Sequence, residues 1–208
     1  AGDDGQLHQQ LVFNQCVQVK LTADGQQVLF SLVVQRFGGG FVGDKAKPAV
    51  YLQRHIDGAQ AALAQQRLHP DVIAGHWLQF DPRRGAESIA EFERCLAAGA
   101  GFVGFGVNGQ VTRVPASDPL WDPFYKRSVD AGVPVMILTG LTGIGQGLPG
   151  GGGIKLDDGH PRHIDDVASR YPDLKILAAR PAYPWQDEMI AILLHKPTPF
   201  LILDEVDA

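Results

Sequence analysis

Apolar runs of five to nine residues alternate along the chain with segments whose apolar residues recur every three or four positions, and this alternation limits the possible folds more than any other feature. Strand-like runs are expected at 11–19, 27–35, 72–80, 101–107, 133–138, 174–179 and 199–203. Several are almost continuously apolar, as strands of a parallel sheet covered on both faces would be. Between them Leu52, Ile56, Ala59 and Leu63 form one helical stripe, and Ile89, Phe92 and Leu96 another. Asp118-Pro119 reads as a cap and first position of a helix closing near Gly132. Asp158 to Ile164 leads into a helix ending at Tyr171-Pro172, and Pro184-Trp185-Gln186-Asp187-Glu188 opens one that runs to about His195. Strand and helix in regular succession predict a parallel α/β protein, either a doubly wound sheet or a β/α barrel. One domain over 1–208 is expected, with 1–10 a tail and 141–160 a glycine-rich lid loop that contains GIGQGLPGGGG.

Charge narrows the function classes. The formal net charge is −5 and the 18 Lys and Arg are scattered, so nothing resembles a surface for a row of phosphates, and nucleic acid is not expected as a partner. No apolar run approaches the roughly 20 residues of a membrane span. AGDDGQLHQQ lacks the basic start and apolar core of a signal peptide, so a cytoplasmic chain is expected. Cys16 and Cys95 show no CxxC spacing and are expected as reduced thiols, with a single bridge left open.

The stretch GVPVMILTG, 132–140, runs from a buried strand into a loop with nothing ionisable at the junction. In β/α barrels that junction is where chemistry gathers. GIGQGL lacks the third glycine of a dinucleotide fingerprint, so a cover over one end of the sheet fits it better. HPRHIDD, 160–166, places His160 and His163 three apart and could suggest a metal, but a capped helix start with surface histidines accounts for the same letters. Cys16 lies on a candidate strand without a neighbour that would activate a thiol. His76 and Trp77 sit mid-strand, where a core histidine is the default.

Four stretches carry a resemblance to a known family. They are HPDVIAGHWLQFDPRRG (69–85), DPLWDPFYKRSVDAGVPVMILTG (118–140), GLPGGGGIKLDDGHPRHIDDVASRYPDLKI (147–176) and PAYPWQDEMIAILLHKP (181–197). From Pro70 to Pro197 the chain resembles the amidohydrolase-related hydrolases and decarboxylases, which are metal-dependent TIM barrels. The resemblance implies a β/α barrel, abbreviated at this length, and a divalent metal such as zinc. The ligand positions depart from the pattern. Where the family has a histidine before Thr-Gly, this chain has Leu138, and where it has Ala-His-Pro the chain has Arg180. Lys-x-His is replaced by Gly106 and Asn108, and NQCVQ offers Asn14, Cys16 and Gln18 for Asp-x-His-x-His. The strand bearing the catalytic Asp would fall beyond Ala208. A guanidinium has no lone pair for a cation, so no cofactor and no metal site are expected.

The expected function is that of a hydrolase or carboxy-lyase acting on a small carboxylate or acyl substrate at a metal-free site. Arg180 would bind the anion, with Asn108, Thr139, Gln18 and Cys16 lining the site. The other reading of Arg180 pairs it with an acid such as Asp204. Alternatives are a non-catalytic ligand-binding or assembly protein and a shortened form of a longer enzyme. Exposed strand edges of an incomplete barrel predict a homo-oligomer.

Overall fold

A computed structural model describes residues 14–20, 27–33, 64, 67, 68, 73–97 and 101–202, with backbone alone at 14–20, 27–33, 73, 74 and 202. Each of the seven expected strands is present. They are β1 (Asn14–Lys20), β2 (Gln27–Val33), β3 (Ile73–Gln79), β4 (Phe102–Val107), β5 (Val135–Leu138), β6 (Ile176–Ala179) and β7 (Pro199–Ile202). The described helices are α1 (Ala86–Ala97), α2 (Gly109–Thr112), α3 (Asp122–Ala131), α4 (Arg162–Arg170) and α5 (Gln186–His195). The expected stripe Leu52, Ile56, Ala59 and Leu63 and the expected tail lie outside the described residues.

Strand order decides between the two architectures. The sheet runs β1-β2-β3-β4-β5-β6-β7 in chain order, with no point at which the winding reverses. A doubly wound sheet needs such a reversal. The helices also pack on one face. Phe92 and Cys95 of α1, Phe124 and Tyr125 of α3, Ile164 and Val167 of α4, and Met189 and Ile192 of α5 join one core with Leu78, Phe105, Val135, Ile137, Ile176 and Ala178 of the sheet. Residues of the opposite parity, Trp77, Met136, Leu138 and Ala179, form a separate cluster built from strands alone. Helices outside and strand side chains inside are the layering of a barrel.

One expectation is corrected. β1 pairs antiparallel with β2, whereas every later pair is parallel. Six residues separate the two strands, too few for the crossover that a parallel pair requires.

Local chemistry explains the helix boundaries. The Asp118 carboxylate accepts from Leu120 N–H at 2.9 Å and caps a short 3-10 turn, Pro119–Trp121, so α3 proper starts later than the cap suggests. Gly132 ends α3 at φ 68°. The core between helices and sheet is aromatic. Phe105 of β4 lies 5.3 Å from Phe92, 5.8 Å from Phe124, and 6.1 Å from both Trp121 and Tyr125, ring centre to ring centre.

Candidate functional site

The sheet's inner face and the carboxyl ends of β3 to β6 define the site. A register shift between His76 and Trp77 in the β3–β4 pairing lets β4 turn both Val103 and Gly104 toward the inner side. Trp77 then occupies the space beside β4: a methyl group on Gly104 would sit 2.7 Å from its ring and 2.1 Å from the Pro134 carbonyl oxygen. Glycine is required there by space. Leu138 is 8% exposed within this apolar cluster. His76 is 1% exposed and shares the parity of Leu78, facing the helix side, whereas Trp77 faces inward.

At the rim, the loops leaving β4, β5 and β6 are laced together. The Thr139 hydroxyl, 3% exposed, donates to Ala179 C=O at 3.0 Å and also lies 3.4 Å from Arg180 C=O. Its proton is therefore committed to the end of β6. Gly140 N–H donates to Gly159 C=O at 2.8 Å, and Leu141 N–H to Tyr183 C=O at 2.9 Å. Gln110 Nε2 donates to Gly140 C=O at 3.0 Å and to Leu156 C=O at 3.3 Å. Arg180 adopts φ 74°, unusual for a residue with a side chain, and its Nη1 reaches Leu141 C=O at 3.4 Å. The guanidinium thus reaches from the end of β6 to the loop that leaves β5.

Asn108 has a structural role at the start of α2. Its Oδ1 accepts from Val111 N–H at 3.1 Å and caps α2, which leaves the amide NH2 end for any ligand. Cys16 and Gln18 lie two residues apart on β1, opposite Ser31 and Leu29 of β2, and their side chains lie outside the described residues, as does Asp204. Because β1 runs against the other strands, Gln18 sits farther than Cys16 from the carboxyl end of β2. Cys95 is free and buried, and burial together with Glu91 pushes its thiol up to about 12.

HPRHIDD divides into two roles. His163 is buried, its Nδ1 2.8 Å from Ser117 Oγ and its Nε2 2.9 Å from Asp157 C=O. A carbonyl can only accept, so Nε2 holds the proton and Nδ1 accepts from the serine. Burial lowers the pKa of this imidazole. His160 packs against Trp185 with ring centres 4.6 Å apart. Asp158 is 8% exposed, and burial raises its pKa against the pull of Lys155 and His163. The expected lid loop includes four successive glycines, Gly150 to Gly153, with φ between 60° and 76°, tethered by Arg113 Nη2 to Gly152 C=O at 3.0 Å.

The residues themselves test a resident metal. Among the described residues no group of three or more His, Cys, Asp or Glu is placed to hold one. At the ends of β5 and β6 stand an alkyl side chain and a guanidinium, neither of which donates to a cation. The described donor set does not fit a divalent ion.

The comparisons with known proteins agree with this architecture. The family model described as amidohydrolase matches residues 25–200. The chain belongs to the amidohydrolase-related family. The match begins after Asn14, Cys16 and Gln18, so the NQCVQ run lies outside it. A stretch of 77 residues, 34% of the chain, is 36% identical to a 2-keto-4-carboxy-3-hexenedioate hydratase of Sphingobium sp., covering 22% of that protein. Among solved structures, an uncharacterized TIM-barrel protein of Bordetella bronchiseptica aligns over 69% of this chain and 47% of its own, with TM-score 0.54 and 22% identity. The 4-oxalomesaconate hydratase of Rhodopseudomonas palustris aligns over 74% and 50%, with TM-score 0.51 and 19% identity. The family member described here has an α/β TIM-type fold and spans about half the length of these solved neighbours. Among its described residues no helix is long and apolar enough to cross a membrane.

Gln110 was not visible as a site residue in the sequence. It is 5% exposed and ties α2 to two points of the loop between β5 and α4, and nothing in GQVT sets it apart.

Proposed function

We propose that this amidohydrolase-related chain binds and converts a small 2-oxo carboxylate, as a lyase or hydrolase, at a site without a resident metal. The observation that carries the reading is the Arg180 guanidinium, which follows β6 and reaches the Leu141 carbonyl in the loop that leaves β5. A planar cation at the carboxyl end of barrel strands suits a carboxylate, which it can grip through two parallel hydrogen bonds. The oxo group enters the proposal from the Sphingobium relative, whose named substrate combines a keto group with carboxylates.

Two measurements test it. Elemental analysis of chain purified without chelator is expected to give far less metal than protein, and stoichiometric zinc or manganese would refute the metal-free site. Calorimetric titration with pyruvate is expected to show binding that Arg180→Ala abolishes, and equal binding by the variant would remove Arg180 from the site. An assembly role is the second reading. It is favoured by Ile190 and Leu194, 52% and 84% exposed on α5, beside a β7 whose outer edge is unpaired among the described residues.

A further inference from the structure

His160 and His163 lie three residues apart, and the fold uses them differently. Both ring nitrogens of His163 are engaged, by Ser117 and by the Asp157 carbonyl. His160 has one nitrogen engaged: Arg162 N–H, in the first turn of α4, points at Nδ1 from 3.2 Å. A backbone N–H can only donate, so Nδ1 is the lone-pair nitrogen and the proton of the neutral ring sits on Nε2. No hydrogen bond to Nε2 is present among the described residues.

Its position is equally specific. Gly159, the preceding residue, is bonded through its carbonyl to Gly140 N–H, in the loop leaving β5. Trp185, against which the ring packs, closes the loop that leaves β6 and begins with Arg180. The half-buried imidazole is therefore held between the two loops that Arg180 also bridges. Packing fixes its plane and the helix start fixes its tautomer.

We infer that the Nε2–H of His160 donates a hydrogen bond to the carbonyl oxygen of the 2-oxo acid whose carboxylate Arg180 binds. This rests on the function proposed above and deepens it by naming the group that recognises the oxo function. A helix N-terminal N–H directed at one nitrogen leaves an N–H donor at the other, an arrangement suited to polarising a carbonyl. Because the donor is oriented before the ligand arrives, little reorganisation opposes it.

The test compares pyruvate with acetate, which has the carboxylate and lacks the oxo group. In chain labelled with 15N, the His160 Nε2–H resonance is expected to move on saturation with pyruvate and to stay with acetate. His160→Asn retains a side-chain oxygen able to cap the α4 N-terminus and removes the Nε2–H, leaving only a shorter amide whose NH2 does not reach the position of Nε2. It is expected to weaken pyruvate roughly three- to tenfold, the worth of one neutral hydrogen bond, and to leave acetate unchanged. A Nε2–H resonance unmoved by bound pyruvate, or equal losses for both acids in the variant, overturns the assignment while Arg180 keeps its role. Wild-type chain that binds neither acid overturns both.

Discussion

Replacing Thr139 by valine separates a hydroxyl that braces the site from one that touches ligand. The side chain is 3% exposed, and its hydroxyl lies 3.0 Å from Ala179 C=O and 3.4 Å from Arg180 C=O. Valine has nearly the same shape, so packing survives and the hydrogen bond does not. Ala179 C=O retains the Thr139 backbone N–H at 3.1 Å, which limits the damage. One net buried hydrogen bond is worth about 0.5–1.5 kcal/mol, so a loss of about 1 kcal/mol is expected. With a urea slope of about 1–3 kcal/mol per molar, the midpoint falls by roughly 0.3–1 M at constant slope. The same bond helps hold Arg180 at φ 74°, a conformation that itself costs on the order of 1–3 kcal/mol. Pyruvate affinity should accordingly weaken by up to about fivefold, the equivalent of roughly 1 kcal/mol. Thr139→Ser keeps the hydroxyl and loses a methyl worth about 0.8 kcal/mol, so it should lower stability and spare affinity. Unchanged stability in the valine variant together with a large loss of pyruvate binding would refute the brace and return the hydroxyl to the ligand.

Three further outcomes are expected. Gly104→Ala would put a methyl 2.1 Å from the Pro134 carbonyl oxygen and should cost about 3 kcal/mol or more in thermal unfolding; a cost below about 1 kcal/mol would contradict the close approach of β4 and β5. The folded pKa of His163 lies below its ordinary 6.5, so its contribution to stability is complete above that value and is lost as pH falls from 6.5 through the folded pKa. Asp158 opposes this at lower pH, since its raised pKa favours the folded state from that pKa down toward 3.8; His163→Asn should flatten the slope of unfolding free energy just below pH 6.5, and an unaltered slope would argue against a neutral buried ring. The outer edge of β7, unpaired among the described residues, and the apolar outer side of α5 predict a dimer or larger species by light scattering, and a clean monomer at all concentrations would argue against it.

The strands were legible because burial on both faces writes near-continuous apolar runs, and each expected run contains or closely matches a strand. Direction was not legible in the same signal, because a period of two reports which face a residue takes and says nothing of which way the chain travels. The short connection after Lys20 carried that information, and it explains the antiparallel β1–β2 pair. At the site, the sequence shows directly that an alkyl side chain at 138 and a guanidinium at 180 offer no lone pair to a cation. The partners of Thr139 and Asn108 were not legible in this way, because the Ala179 carbonyl is 40 residues from Thr139 in sequence and the cap role of Asn108 depends on α2 beginning immediately after it. His160 was visible within HPRHIDD. Its open nitrogen became apparent when α4 proved to begin at Arg162, which turns the next backbone N–H but one onto Nδ1.

The glycines from 150 to 153 wind in the sense opposite to every α-helix among the described residues. For ordinary amino acids that hand costs about 1–2 kcal/mol per residue, and the positions of Gly150 and Gly151 have open space around them, so handedness alone, with no clash, disfavours L side chains there. This segment answers to mirror-image rules. A chain assembled by chemical ligation with D-alanine at 151 should be tolerated or made stiffer, whereas L-alanine at the same place should unwind the turn and loosen the Arg113 tether beside it.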